Sequence, residues 1–111
     1  MKLSVVSGQI VHSRGAIPAA HEVLDAREIG DIVVAIYDYM AFPSGEAARN
    51  LFAYSTRTGE LLWRAADIGM AGTDAYTNVL CESPLIVGNF AGFSCTIDMS
   101  TGVVVREEFT K

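Results

Sequence analysis

Two histidines and a run of carboxylates in the N-terminal third are the residue types that could hold a metal. The histidines are His12 and His21, and four carboxylates lie among the next residues: Glu22, Asp25, Glu28 and Asp31. A zinc site favours paired ligands at HxxxH or CxxC spacing, and a calcium loop places ligands at alternating positions and closes on Glu. The sequence has neither pattern here. We therefore expect no metal site and interpret this run as a solvated connector.

The candidate nucleophiles are equally isolated. Ser44 lies in FPSGE, without the G-x-S-x-G pattern or a plausible order of His and Asp around it. Glu107 and Glu108 are adjacent, and neighbouring strand residues point to opposite faces, so they cannot act together on one bond. Cys81 and Cys95 are expected to be reduced thiols. No catalytic residue is predicted.

The segment 66–78 is the strongest candidate for a binding surface. It is long for a connection between strands, and such connections often carry binding residues. The predicted binding residues are Asp67, Asp74, Tyr76 and Asn78. Tyr76 is expected to be the exposed anchor of this surface, with the carboxylates selecting a basic partner. The competing interpretation packs Tyr76 in the core between two structural units.

Composition limits the class of protein. The chain has 111 residues and a net charge of −5, half of its residues are apolar, and we expect a single domain over residues 1–111. Its eight basic residues are scattered, which argues against a nucleic-acid or anionic-membrane partner. A small domain cannot hide so much apolar material, so a homo-oligomer is expected. Without a signal-peptide pattern or an 18-residue apolar run, the chain is predicted to be cytoplasmic.

A near-repeat indicates which elements position these residues. Residues 58–63 read TGELLW and residues 101–106 read TGVVVR, so that Gly59 and Gly102 lie 43 residues apart. Each copy predicts a strand, a tight turn closed by glycine and a second strand. A fainter copy places Gly8 at the first such turn. The fourth position after each glycine holds a different residue: His12, Trp63 or Arg106.

Another predicted strand pair precedes each of the two later hairpins. The chain then contains a half unit at 3–13 and four-stranded units at 31–66 and 83–109. A period of 40 to 45 residues with four strands is typical of a propeller blade. The predicted fold is therefore all-β, with about ten short antiparallel strands in blade-like units and 15–30 as a loop with at most one helical turn. The runs IVVAIY, PLIV and VVV are apolar on both faces and predict sheets covered on both sides.

The unit resembles the blade repeat of quinoprotein-like (PQQ-type) β-propellers, whose blades end in an Asp-x-x-Thr-Gly-x-x-x-Trp pattern. Asp98, Thr101 and Gly102 fit one copy, and Thr58, Gly59 and Trp63 fit the other, while Ser55 replaces Asp and Arg106 replaces Trp. The resemblance implies that Trp63 packs one unit against the next. It does not extend to the cofactor, because the chain has no Cys-Cys pair and a single Trp. We expect no cofactor.

The number of units bears on the architecture. A closed propeller needs about four blades, on the order of 160 residues, and this chain holds about two and a half. The units must therefore pack as a sandwich or be completed by oligomerisation. We interpret the chain as a small protein-interaction module of an immunity or regulatory type, not an enzyme. The alternative is an enzyme or ligand-binding protein whose site lies at an oligomer interface.

Overall fold

A computed structural model describes residues 1–110 of the chain. These residues form eleven antiparallel strands and two short 3-10 turns, Tyr39–Ala41 and Ala71–Thr73. The strands are β1 (Ser4–Val6), β2 (Gln9–His12), β3 (Gly15–Pro18), β4 (Val23–Ile29), β5 (Ile32–Tyr37), β6 (Leu51–Ser55), β7 (Leu61–Arg64), β8 (Tyr76–Cys81), β9 (Leu85–Asn89), β10 (Phe93–Ile97) and β11 (Val104–Phe109). The all-β prediction is confirmed.

The strands form three sheets in which neighbours in sequence are neighbours in space. The N-terminal sheet has the order β1-β2-β3, the central sheet β4-β5-β6-β7 and the C-terminal sheet β11-β10-β9-β8. All pairs are antiparallel, as short connections between consecutive strands require. A four-stranded antiparallel unit is therefore present twice, as the central sheet and as the C-terminal sheet.

The unit boundaries differ from the sequence prediction. The central sheet begins at Val23 instead of residue 31, and the C-terminal sheet begins at Tyr76 instead of residue 83. The segment 15–30, expected to be a loop, contains β3 and β4, and the first sheet extends to Pro18. β4 escaped detection because charged residues interrupt it. Its Asp25 is nonetheless buried, since the Arg27 guanidinium donates to its carboxylate at 2.9 Å.

The central sheet is covered on both faces. On β5, Val33, Ala35 and Tyr37 pack in the cluster shared with the N-terminal sheet. Val34 and Ile36 of the same strand pack in the cluster shared with the C-terminal sheet. The side chains of consecutive strand residues point to opposite faces, so an apolar run such as IVVAIY needs a layer on each side. The prediction of two covered faces is confirmed for this strand.

The same prediction is wrong for the VVV run. Val103 is 52% exposed and Val105 is 60% exposed, because β11 is the outer edge of a sheet that packs on the central sheet through one face only. Apolar composition alone does not distinguish a doubly covered strand from an exposed edge strand.

Trp63 lies between the central and C-terminal sheets, where the repeat predicted it. Its indole packs on Gly102, where a Cβ atom would stand 2.6 Å from the indole Cε3. The indole Nε1 donates to the Met99 carbonyl at 2.7 Å. Arg106, the residue at the corresponding position of the last copy, is exposed and pairs with Glu108 at 2.8 Å. One docking contact of this type therefore joins two of the three sheets.

The connections lie at two opposite ends of the stacked sheets. At one end, called the loop end, lie the long segments 38–50 and 65–75 with the shorter connections 19–22 and 90–92. Aromatic contacts join three of these four segments, His21 with Phe42 and Tyr39 with Phe90. The other end, called the turn end, carries the tight turns 13–14, 30–31 and 56–60. The loop end therefore holds most of the chain that lies outside strands.

Candidate binding cleft

A half-open cleft of about 240 Å³ lies at the loop end. Two long connections form it, the segment between β5 and β6 and the segment between β7 and β8. The lining residues are Tyr39, Met40, Phe42, Pro43, Ser44, Gly45, Glu46, Ala48, Gly72 and Ala75. Apart from Ser44 and Glu46 these are apolar or glycine, so the cleft favours an apolar group with a polar contact at its rim.

Small residues create this cleft. Ala48 and Ala75 are each 6% exposed, and their short side chains leave space above them. Gly72 lies so close to Gly45 that a Cβ atom at position 72 would stand 3.2 Å from the Gly45 Cα. A larger side chain there would push the two connections apart, because backbone atoms have little freedom to yield. The shape of the cleft therefore depends on the absence of side-chain volume at these positions.

Asp74 holds the second connection in place. Its carboxylate is 1% exposed and accepts hydrogen bonds from the backbone N–H groups of Ile68 at 2.7 Å and Met70 at 3.1 Å. The other carboxylate oxygen accepts from Asn89 Nδ2 at 2.9 Å. The prediction that Asp74 selects a basic partner on an exposed surface is wrong, because its charge is buried and its acceptor sites are occupied. It organises the connection beneath the cleft.

Tyr76 is also buried. Its side chain is 0% exposed, and its hydroxyl donates to the Ala66 carbonyl. Burial raises its pKa. The Asn50 side chain fixes the backbone of this residue by accepting from the Tyr76 N–H at 2.8 Å and donating to the Tyr76 carbonyl at 2.8 Å. The prediction of an exposed anchor is wrong, and the competing interpretation, a core residue between two sheets, is confirmed.

The other two predicted binding residues are exposed but lie outside the cleft lining. Asp67 belongs to the connection after β7. Asn78 lies within β8, where its Oδ1 accepts from the Thr77 hydroxyl at 2.9 Å. The structure therefore does not bring the four predicted residues together.

Three exposed apolar side chains stand at the loop end, and the sequence analysis missed them. Met40 is 78% exposed, Tyr39 is 38% exposed and Phe90 is 62% exposed. The Tyr39 and Phe90 rings are 5.9 Å apart. The run YDYMAF at 37–42, which leaves a strand and enters a connection with Pro43, was the signal that could have found them. Apolar residues that cluster beyond the end of a strand and stay exposed can mark a binding surface.

The charge at the loop end is predominantly negative. Four carboxylate side chains lie on its connections and are at least partly exposed: Glu22, Asp38, Glu46 and Asp67. The two arginines at this end donate to backbone carbonyls, Arg49 Nε to Ala65 at 3.1 Å and Arg64 Nε to Arg49 at 2.8 Å.

Burial and the neighbouring Arg49 lower the pKa of Arg64. The Arg64 guanidinium also covers the Phe42 ring at 5.5 Å.

Comparison with known families places the chain. A family model described as a domain of unknown function, DUF7957, matches residues 7–109. The chain belongs to this family. Comparison of this DUF7957 domain with curated proteins and with solved structures gave no match. The matched range contains every residue that lines the cleft.

The cleft of this DUF7957 domain offers hydrogen-bonding groups but no assembled catalytic set. Ser44 and Glu46 line it, and none of the lining residues is a histidine or a cysteine. Within residues 1–110 no group of three or more His, Cys, Asp or Glu side chains is placed to hold a metal ion. No helix in that range is long and apolar enough to cross a membrane. The arrangement is suited to binding through apolar contact, with acidic groups around the site.

Proposed function

We propose that this chain is a protein-binding module whose cleft at the loop end accepts an apolar side chain from a basic segment of its partner. The observation that supports this most directly is the coincidence, at one end of the molecule, of an apolar cleft, exposed Met40 and Phe90, and a surplus of carboxylates. The module would serve an immunity-type or regulatory role in which an acidic surface covers a basic site on the partner.

The size of the cleft favours a side chain over a free small molecule. Sites that enclose drug-sized ligands occupy about 300 to 1,000 Å³. The cleft measures about 240 Å³ and is open on one side. A single large apolar side chain presented by a protein segment would fill such a space, while the rest of the segment would lie across the exposed rim.

The composition of the rim supports a protein partner. Methionine and aromatic residues are enriched in protein interfaces, and the flexible thioether of methionine adapts to irregular surfaces. Met40 lines the cleft, and Phe90, from a different connection, lies against the ring of Tyr39, which also lines it. Large exposed apolar groups cost solubility unless a partner covers them.

The charge supports a basic partner. The chain carries a net charge of −5, and the loop end carries four carboxylates that are at least partly exposed against two arginines. Complementary charge around an interface accelerates encounter and discriminates against like-charged partners. A segment with lysine or arginine on both sides of an apolar residue fits this distribution.

A peptide library tests the proposal. Fluorescein-labelled peptides with one variable residue between pairs of arginines are titrated with the protein, and binding is followed by fluorescence anisotropy. Met40→Ala removes rim contact, and Ala48→Met fills the cleft. Each should weaken binding of the best peptide tenfold or more, roughly 1.4 kcal/mol. Leu61→Ala, which removes an exposed apolar side chain on β7, is the matched control and should leave binding unchanged.

The charge contribution has its own pair of variants. Glu46→Gln at the cleft rim should weaken binding and reduce its salt dependence, whereas Glu60→Gln at the turn end should do neither. The proposal fails if no peptide binds. It also fails if Met40→Ala and Leu61→Ala have the same effect.

A further inference from the structure

A second cavity lies at the turn end and has a different chemistry. It measures about 180 Å³ and lies between the turn after β2 and the turn after β6. Its lining residues are His12, Arg14, Gly15, Ala16, Thr56, Arg57, Thr58 and Gly59. Five of these carry polar side chains and none carries a carboxylate. The chain has a net charge of −5, so a cavity lined by cationic side chains and hydroxyl groups differs from the rest of its surface.

Two arginines on different turns share one carboxylate beside this cavity. Arg14 Nη2 lies 3.6 Å from Asp31 Oδ1, and Arg57 Nη2 lies 3.1 Å from Asp31 Oδ2. All three side chains are more than half exposed. The trio therefore carries one net positive charge, with a single carboxylate paired to two guanidinium groups.

The other four arginines of residues 1–110 are occupied differently, and two of them, Arg49 and Arg64, donate to backbone carbonyls. Arg27 alone faces two carboxylates, with Asp25 at 2.9 Å and Glu82 at 3.2 Å. Arg106 has its own partner in Glu108 at 2.8 Å. The Arg14 and Arg57 pair is therefore the place within residues 1–110 where two guanidinium groups depend on a single carboxylate.

His12 and Thr58 add two further donors. His12 is 9% exposed, and its Nδ1 accepts a hydrogen bond from the Arg14 N–H at 3.2 Å, which leaves Nε2 as the ring nitrogen that can donate. The Thr58 oxygen accepts from the Glu60 N–H at 3.2 Å, which leaves its own proton available for donation. The cavity is thus lined by two guanidinium groups, an imidazole N–H and a hydroxyl group.

We propose that this cavity binds the phosphate group of a small phosphorylated ligand. The planar fork of arginine matches two oxygens of a phosphate, and such charge-assisted pairs are among the stronger hydrogen bonds in proteins. A phosphate group presents acceptors in several directions, as donors placed on two turns require, whereas a carboxylate presents acceptors in one plane. The site lies at the opposite end from the proposed protein-binding cleft and is independent of it.

Titration with defined anions tests the proposal. Isothermal calorimetry and thermal melting are performed with inorganic phosphate, with glycerol phosphate as a phosphate monoester, and with acetate and chloride at equal ionic strength. We expect saturable binding with one site per chain for a phosphate species and none for chloride. Tighter binding of the monoester than of inorganic phosphate identifies the ligand as a phosphorylated molecule; the reverse identifies free phosphate.

Four variants locate the site. Arg14→Gln and Arg57→Gln should each weaken phosphate binding tenfold or more. Arg106→Gln, which removes an arginine of similar exposure from an ion pair elsewhere, should leave it unchanged. Asp31→Asn should instead tighten binding severalfold, because it removes the carboxylate that competes for both guanidinium groups.

The Asp31→Asn variant keeps the test decisive if an arginine variant fails to fold. The proposal is overturned if the unaltered protein shows no saturable phosphate binding. It is equally overturned if the losses in the Arg14 and Arg57 variants match that of Arg106→Gln, or if Asp31→Asn weakens binding.

Discussion

At the scale of single residues, buried polar side chains connect the sheets. Asp25 on β4 accepts a hydrogen bond from the Val79 N–H on β8 at 2.9 Å, and thus links the central sheet to the C-terminal sheet. Asn50 donates to the carbonyls of Tyr37 at 2.7 Å and Tyr76 at 2.8 Å, a second such link. Buried groups of this kind cost stability unless their hydrogen bonds are made, so they fix how the sheets lie against each other.

The Asp25 link predicts a pH dependence of stability. Burial acts to raise the pKa of Asp25, but hydrogen bonds from Arg27 and from the Val79 N–H, with the Arg27 charge, outweigh it and leave the pKa below its ordinary value. A lowered folded-state pKa contributes stability above the unfolded pKa of about 4 and loses it as the pH falls through the folded value. We expect the free energy of unfolding to fall as the pH is lowered from about 5.

The matching variant is Asp25→Asn. At pH 7 it should unfold at lower urea concentration than the unaltered protein, by about 1 to 3 kcal/mol. That difference should shrink as the pH falls below about 4, because the unfolded chain then binds a proton at Asp25 that the folded protein, with its lowered pKa, binds only at lower pH. Asp67→Asn, an exposed change at the loop end, is the control. A stability difference that stays constant from pH 7 to pH 3 would contradict the proposed role of the Asp25 charge.

Two glycines at equivalent positions of the repeat separate backbone strain from packing. Gly59 and Gly102 have φ angles of +76° and +79°, which strain any residue with a Cβ. A Cβ at position 59 would meet nothing within 4 Å, whereas at position 102 it would stand 2.6 Å from Trp63. Gly59→Ala should cost about 1 kcal/mol, and Gly102→Ala about 2 to 4 kcal/mol, in urea unfolding. Equal losses would show that the Trp63 contact contributes nothing.

At the scale of elements, some strands could be predicted from the sequence and others could not. β5 was recognisable because a doubly covered strand reads as an unbroken apolar run. β4 was not, because Asp25 and Arg27 in its interior read as solvated, and only the folded structure shows that they pair with each other. β8 was not predicted for a different reason. Its pairing with β9 shifts register between Tyr76 and Val79, so buried and exposed side chains do not alternate regularly along it.

The candidate site was predicted in part. The sequence indicated that the connection before β8 lies at a functional end, and two residues of that connection, Gly72 and Ala75, line the cleft. Tyr76 was assigned to the surface because a tyrosine near polar residues resembles a loop anchor. Its contacts with Asn50 and Ala66 could not be inferred, since those residues are distant in sequence. The segment 38–46, which forms most of the cleft, carried only the signal of the apolar run at 37–42, which the prediction did not use.

At the scale of the whole molecule, three sheets are stacked in the order N-terminal, central, C-terminal. Residues 1–110 contain two four-stranded meanders in an open stack of separate sheets. The likeness of these meanders to a quinoprotein blade remains a proposal. An open stack leaves two outer faces, one on each terminal sheet. These faces differ in chemistry, and the difference bears on self-association.

The outer face of the N-terminal sheet exposes apolar side chains, and the C-terminal sheet also exposes apolar residues, among them Leu80 and Val105. Ile10 and Ile17 point toward the central sheet and are buried. On the opposite face Val6 is 56% exposed and Val11 is 42% exposed. On the C-terminal sheet the corresponding face carries Thr96 opposite Arg106 in register. A second copy of the chain would gain stability by covering Val6 and Val11, since burial of apolar surface drives association.

We therefore expect a homodimer that forms through the outer face of the N-terminal sheet. Light scattering at micromolar concentration should give twice the chain mass of 11.9 kDa. Val11→Glu should yield the monomer, because a carboxylate in that interface would lose its hydration without a partner. Thr96→Glu makes the matched change on the opposite outer face and should leave the dimer intact. A monomeric unaltered protein, or a dimer that Thr96→Glu dissociates and Val11→Glu does not, would show that this face is not the interface.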